Sequence, residues 1–358
     1  MKVKPSISVV LLSYNHARHI DLCIKAFLGQ SVQDFELIII DDASGDDSVE
    51  RIRRYADHRI TLVTREINRG VSAGMNSGLL VAKADLVCFF ATDDIPDVEY
   101  LNAALAVMAL VPRANAAYFP LRRIDEDGRL LEKFGSLPWG ASRHEILHRS
   151  FMGGNQLPSP GMVVRREVAL GMLLPEGSAQ YSDWILHNRL LLHGEIALGD
   201  APVLSYRVSP SSLSARSDKA IGREAAETRL MMDDFFQIHS MTRMAEIFGD
   251  DVAEFANLPD AHVPYVLGRL ALRSQYYHKR CWGYETIMRH VSGPDVAESL
   301  ASCLGFSHKE FLNLVPNPVD SPTMEIISLR RRLRRQKVAS CLLLFAVVLA
   351  VLFLISRT

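Results

Sequence analysis

Five aspartates stand out by position. Asp41-Asp42 and Asp93-Asp94 each follow a run of apolar residues, and Asp183 opens a segment with helical spacing. A carboxylate offers hard oxygen donors, so beside a diphosphate it can hold Mg²⁺ or Mn²⁺. Such a cation neutralises the charge that builds on a departing nucleoside diphosphate. A second carboxylate can accept hydrogen bonds from ribose hydroxyls or from a pyrimidine N–H, and a third can take a proton from an attacking hydroxyl. Aspartates at such places also cap helices and turns. The repetition of the pair, at two strand ends three elements apart, is what points to chemistry.

The elements around these residues explain why they would meet. Ile7–Ser13, Phe35–Ile40, Ile60–Val63 and Leu86–Phe90 are short apolar runs that read as buried strands. Ile20, Cys23, Ile24, Phe27 and Leu28 fall on one face of a helix. Helices are predicted over 46–55, 71–83 and 97–110 as well. Strands that are nearly all apolar and alternate with helices predict an α/β domain with a largely parallel sheet. Ligands bind such sheets at the carboxyl ends of the strands. Ser13-Tyr14-Asn15 and both acidic pairs lie there. The stretch 111–180 reads as irregular and rich in turns, with a short strand at Met162–Val164. A helix begins near Asp183, a strand covers Val203–Val208, and 216–315 is helical in pattern.

Composition narrows the field. The chain has 358 residues, 48% of them apolar and 23% charged, which excludes a disordered protein. Forty Lys+Arg against forty-one Asp+Glu leave no basic footprint, so nucleic acid is not an expected partner. Five dispersed cysteines without a CxxC exclude a zinc ribbon or disulfide scaffold.

The runs PSISVVLLSYN at 5–15, FELIIIDDASGDDS at 35–48, NRGVSAGMNSGLL at 68–80 and ADLVCFFATDD at 84–94 together resemble the N-terminal half of family 2 inverting glycosyltransferases. The resemblance covers about residues 5–210 and is specific over the first hundred. It implies a GT-A-type nucleotide-binding α/β domain, a nucleotide-sugar donor (UDP-linked in much of the family), a divalent metal and inversion at the anomeric carbon. Carried over by residue, Asp42 would meet the base with Ser13 and Tyr14 nearby. Asp93 would contact the ribose or a metal-bound water, Asp94 would hold the metal (Mn²⁺ or Mg²⁺) and diphosphate, and Arg69 would reach the diphosphate. Asp183 would be the general base. Three departures stand beside this: Ala91 where many members have Asp, Ser182 where Glu is common, and Ser209 where His is common.

The predicted organisation is a nucleotide-sugar-binding half at 1–100, an acceptor half with the base at 101–215, and a helical accessory region at 216–322. A basic juxtamembrane segment at 323–337 precedes Val338–Ile355, eighteen residues without a charge. As a helix that segment would be about 27 Å long, so the sequence predicts one C-terminal transmembrane helix over 338–355. The six cations among residues 330–337 place residues 1–337 on the cytoplasmic side of an inner or plasma membrane, against membrane lipid. The expected function is a membrane-anchored glycosyltransferase acting on a saccharide or lipid-linked acceptor of the cell envelope. The alternative is a non-catalytic nucleotide-sugar-binding or assembly subunit. A nucleotidyltransferase would show a Gly-rich basic loop after the first strand, which SYNHARH does not supply. Trp139 and Trp184 are candidates for an acceptor pocket, with core packing favoured for Trp184.

Overall fold

The computed structural model describes residues 4–133, 137–209 and 218–314. The apolar runs form strands as their β-branched content dictates. Strand β1 (Ile7–Ser13) is followed by helix α1 (Ile20–Leu28), β2 (Phe35–Asp41), α2 (Ser48–Arg53), β3 (Ile60–Thr64), α3 (Gly70–Val81) and β4 (Leu86–Ala91). β1 pairs in parallel with both β2 and β4, and Ser13 stands opposite Asp41 while Leu12 stands opposite Ala91. Three strands therefore end side by side, at Ser13, Asp41 and Ala91. The parallel crossovers put helices on both faces of the sheet.

The chain continues through β5 (Ile95–Pro96), α4 (Tyr100–Leu110), β6 (Ala114–Tyr118), β7 (Arg122–Ile124), β8 (Leu130–Lys133), α5 (Arg143–Met152), β9 (Val163–Arg165), α6 (Arg166–Leu170), α7 (Ser182–His193), β10 (Glu195–Leu198) and β11 (Leu204–Arg207). A seven-stranded sheet results, in the order β10-β6-β9-β4-β1-β2-β3, with β9 antiparallel to both neighbours. A second sheet, β5-β11-β7-β8, begins directly after Asp93-Asp94. The region 111–180 is thus more regular than its sequence suggests. β6 is ANAAY, whose small side chains carry no strand-like alternation, and β7 is only three residues long.

Alternate residues of the central strands (Val9, Leu11, Leu37, Ile39) pack with Cys23, Phe27, Phe90, Tyr100 and Met108 from α1, β4 and α4. Phe27, Phe90 and Tyr100 meet edge to face, with centroids 4.8–6.5 Å apart. On the other side α3 lies close to β1. A Cβ at Gly78 would fall 2.3 Å from Val10 Cγ1, and one at Gly74 would fall 2.9 Å from Leu12 Cδ2. Only glycine lets the helix come so near.

The described residues up to Leu267 form one compact unit and those from Gly268 to Leu314 belong to a second. The first includes α8 (Asp218–Asp233) and α9 (Met241–Phe248), and Phe151 of α5 meets both Phe235 and Phe248 edge to face. α10 (Val263–Ala271) spans the division in sequence. The second unit carries α11 (Tyr277–His290), α12 (Pro294–Leu304) and α13 (His308–Asn313), with Phe311 stacked on Tyr284.

The expected transmembrane helix, and the single-pass membrane location that rested on it, do not hold. Among the described residues no helix is long and apolar enough to cross a membrane. The longest, α8, has 16 residues, and charged side chains recur along it, whereas a span needs about 20 predominantly apolar ones. The segments 323–337 and 338–355 lie outside the described residues.

Candidate active site

The loops after β1 and β2 are laced together. The Asn15 amide N–H donates to Ser44 Oγ, Asn15 Oδ1 accepts from the Gly45 N–H, and the Ala17 N–H donates to Asp46. Asn15 and Ala43 both adopt positive φ, at 56° and 65°, a conformation uncommon for Ala and held here by its neighbours. Ser13 is buried and donates to Asp41, which also accepts from the N–H and hydroxyl of Ser44. Tyr14 projects from the strand end and is 48% exposed.

Asp42 is nearly buried and gathers the loop before α3. Its oxygens accept from Arg65 Nη1 (2.8 Å), from the Arg69 N–H (3.0 and 3.1 Å) and from the Gly70 N–H (2.7 Å). The carboxylate sits at the start of α3, where exposed N–H groups and the helix dipole favour negative charge. Arg65 also donates to Ala73 O and Ser77 Oγ, so it ties β3 to α3. The Arg69 guanidinium pairs with Glu176. Asp42 and Arg69 are therefore brought together, while Ser13 turns to Asp41.

The second acidic pair occupies the turn between the two sheets. Asp93 is the more open member, 3.9 Å from His16 Nδ1, and that same nitrogen lies 2.7 Å from Thr92 Oγ1. Asp94 is buried. Its Oδ1 accepts from the Arg207 N–H at 3.0 Å, and its Oδ2 has no hydrogen-bond partner among the described residues. Burial, with the adjacent Asp93 charge adding to it, pushes the Asp94 carboxyl well above the usual range. A buried carboxylate with an unused oxygen is costly unless a positive charge is supplied. Asp94 Oδ2 is thus a hard oxygen donor of the kind a divalent cation takes, provided its other ligands come from elsewhere. Among the described residues no group of three or more His, Cys, Asp or Glu could hold a metal alone.

Arg207 of β11 holds this turn in place. Buried itself, it donates from Nε to Asp93 O (3.0 Å) and from Nη1 to Asp125 O (2.7 Å) and Glu126 O (2.8 Å). We expect Arg207→Ala to cost about 2–4 kcal/mol, because three carbonyls lose a charged donor. Arg207→Lys should recover little, since an ammonium cannot bridge the same three acceptors. Urea unfolding measures both; an Arg207→Ala protein within about 0.5 kcal/mol of the parent would refute this role.

Asp183 lies in the first turn of α7, half-buried. Burial pushes its carboxyl up to about 6, the Trp184 N–H opposes this, and the Glu227 charge adds to it. Asn155 Nδ2 donates to Asp183 Oδ2 at 3.3 Å, and Asn155 Oδ1 meets His187 Nδ1 at 3.1 Å. Burial pushes His187 down to about 3, so its ring is neutral and its Nδ1 carries the proton given to Asn155. Asp183 is tied to the α3 side through its neighbour: Ser72 Oγ lies 2.8 Å from Ser182 Oγ and 2.7 Å from Ser178 O. Trp184 is core, with its Nε1 donating to Ser150 Oγ. Trp139 is 46% exposed and faces an open cavity of about 340 Å³ with Leu137, Pro138, Arg149 and Gln156. Gln156 of its lining is the chain neighbour of Asn155, which donates to Asp183.

Sequence reasoning passed over Arg65, Asn155, His187, Arg207 and Glu227. Their partners lie between 12 and 114 residues away or are backbone groups, so no local spacing marks them. The Ser142–Glu145 capping box of α5 is a local S-x-x-E signal that the sequence reading also passed over.

Residues 8–170 match the family model described as Glycosyl transferase family 2. An uncharacterised glycosyltransferase of Nostoc sp. is 32% identical over 321 residues, which cover 86% of this chain and 96% of the relative. The Escherichia coli enzyme named UDP-Glc:alpha-D-GlcNAc-diphosphoundecaprenol beta-1,3-glucosyltransferase WfgD is 29% identical over 102 residues, covering 28% of this chain and 40% of that one. The chain spans 58% of the length of similar mycobacterial proteins of unassigned function. Among solved structures, Staphylococcus aureus TarS 1-349 in complex with UDP-GlcNAc aligns with a TM-score of 0.55 at 17% identity, over 87% of this chain and 82% of that one. That likeness establishes the GT-A-like α/β fold. The near-complete alignment with the Nostoc relative carries the family: the chain belongs to glycosyl transferase family 2.

Proposed function

We propose that the protein transfers a sugar from a nucleoside-diphosphate donor to a hydroxyl group of a saccharide or lipid-linked acceptor, with inversion. The observation that carries this reading is Asp183. It is a carboxylate raised to about 6 by burial at a helix start, and its neighbour Ser182 makes a hydroxyl contact with the helix whose first turn is gathered by Asp42. A base poised there is unprotonated at neutral pH yet basic enough to receive a proton as the C–O bond forms. UDP is the favoured nucleotide, because the TarS structure holds UDP-GlcNAc and the name of WfgD gives UDP-glucose as donor. The same name, with a diphosphoundecaprenol acceptor, supports the lipid-linked class.

In this reading Tyr14 offers its exposed ring to the base, and the loop ordered by Asp42 shapes the nucleotide side. Arg69 reaches the diphosphate once it leaves Glu176. Asp93 and Asp94 would hold a divalent cation, which when bound supplies positive charge to the leaving diphosphate. Asp183 receives the acceptor proton, and Asn155 keeps its carboxylate aimed while the neutral His187 fixes Asn155. Trp139 gives sugar rings an aromatic face.

The test is a thermal-shift comparison of UDP, GDP, CDP and ADP with and without Mn²⁺. At a ligand concentration of about 100 Kd the stabilisation is about 2.7 kcal/mol. UDP with Mn²⁺ should give the largest rise in Tm. No nucleotide raising Tm under either condition would overturn the donor reading. Nucleotide binding without sugar transfer to any saccharide acceptor would favour the non-catalytic subunit.

A further inference from the structure

The start of α7 is capped from a distance. Its N-cap residue Tyr181 provides no side-chain cap. Three consecutive amides point instead at one carboxylate, that of Glu227 on α8. The Ala179 N–H donates to Oε1 at 2.9 Å, the Gln180 N–H lies 3.0 Å from Oε1 and 2.9 Å from Oε2, and the Tyr181 N–H donates to Oε2 at 2.7 Å. Glu227 is only 5% exposed. Arg223, one turn earlier on α8, donates to Gln180 Oε1 at 3.4 Å. Successive N–H groups around an anion at a helix start form a nest, and a carboxylate suits it. Asp183 follows two residues after the last of these amides.

We propose that Glu227 is a positioning residue for the transfer reaction. By gathering the amides of residues 179–181 it fixes where α7 begins and so where the Asp183 carboxylate stands. Helix α8, which lies beyond the family match at 8–170, is on this account part of the catalytic unit. The inference rests on reading Asp183 as the base. Among the described residues, the groups that face Asp183 include Glu227 from α8, Tyr118 from β6, and Asn155 from the loop before β9, which links it to His187 of its own helix. Of these only Glu227 brings a negative charge, and it adds to the upward push of burial on Asp183.

Three variants of the full-length chain test this: Glu227→Gln, Glu227→Asp and Asp183→Asn. Three readouts are taken on each. Carboxyl ¹³C NMR follows the titration of Asp183, its signal assigned by its loss in Asp183→Asn. Hydrogen-exchange mass spectrometry covers residues 176–186. UDP release from UDP-GlcNAc gives kcat and KM across pH. Glu227→Gln should lower the Asp183 midpoint by about half a unit or more, because a like charge is removed. It should speed exchange at 179–181 about tenfold or more. It should also lower kcat about tenfold with the donor KM within about twofold. Glu227→Asp keeps the charge but is one methylene too short to reach all three amides. It should leave the midpoint in place, raise exchange and lower kcat, and it carries the test if Glu227→Gln does not fold. Parental exchange and midpoint in both Glu227 variants overturn the proposal, as does parental kcat in both where Asp183→Asn is inactive. Parental UDP release by Asp183→Asn overturns the base reading instead, and exchange at 179–181 still reports on the grip of Glu227.

Discussion

Replacing Asp183 by Asn is expected to slow sugar transfer by about 10²–10⁴-fold, the usual contribution of a positioned general base. Asparagine has nearly the same shape, and its amide can still meet Asn155, so the pocket survives while the proton acceptor is lost. UDP affinity measured by calorimetry should stay within about twofold, because the proposed reading puts this side chain with the acceptor and not the donor. A tenfold loss of UDP affinity would instead place Asp183 among the donor contacts. The pH dependence follows from the same carboxyl. Its value is pushed up to about 6, and it must be unprotonated to act, so the rate of the parent rises with pH through about 6 and then levels. The substitution should also raise Tm at neutral pH. A carboxyl whose folded value lies above its unfolded one binds more protons in the native state, so its contribution to stability falls as pH rises from about 4 to about 6. Asparagine removes that loss above pH 6. A variant that is inactive yet less stable at pH 7.5 would contradict this account of the burial.

Asp94→Asn is expected to weaken cation-dependent UDP binding by at least about tenfold, since metal affinity depends steeply on each ligand and its support. The thermal shift given by UDP with Mn²⁺ should fall towards that given by UDP alone. Stability without ligand should rise at neutral pH for the reason given for Asp183, as this carboxyl too is raised by burial and by its neighbour's charge. Asp93→Asn is the companion experiment. If it alone removes the Mn²⁺ effect while Asp94→Asn leaves it at the parental size, the cation belongs to the open member of the pair and Asp94 serves the turn.

What could be read from the sequence was whatever depends on neighbours in the chain. Val9–Leu12 and Phe35–Ile40 are almost wholly apolar, so β1, β2 and the polar residues that end them were visible, and the spacing of Ile20, Ile24 and Phe27 placed α1 at Ile20–Leu28. β6 and β7 were not legible, because Ala114–Tyr118 is built of small residues and Arg122–Ile124 is too short to show a period. The acidic pairs could be placed at strand ends, but the direction each side chain takes could not. Ser13 turns to Asp41, Asp94 turns inward to the Arg207 amide, and Asp42 is occupied with the Arg65 guanidinium and two backbone amides. Those orientations are set by residues such as Arg207, 113 positions from Asp94. Hydropathy and charge at 330–355 argued for a membrane span, whereas the helices among the described residues follow the ordinary amphipathic lengths of a packed domain.

The two glycines that seat α3 against β1 leave that helix no room to slide. Gly74 and Gly78 abut Leu12 and Val10, and the first turn of the same helix meets Asp42 at Gly70 and Ser182 at Ser72. The helix therefore behaves as a stiff strut with both grips within three residues of one end. On the proposed reading, a shift of that turn on the Asp42 side would be passed by leverage to the start of α7, without a long relay.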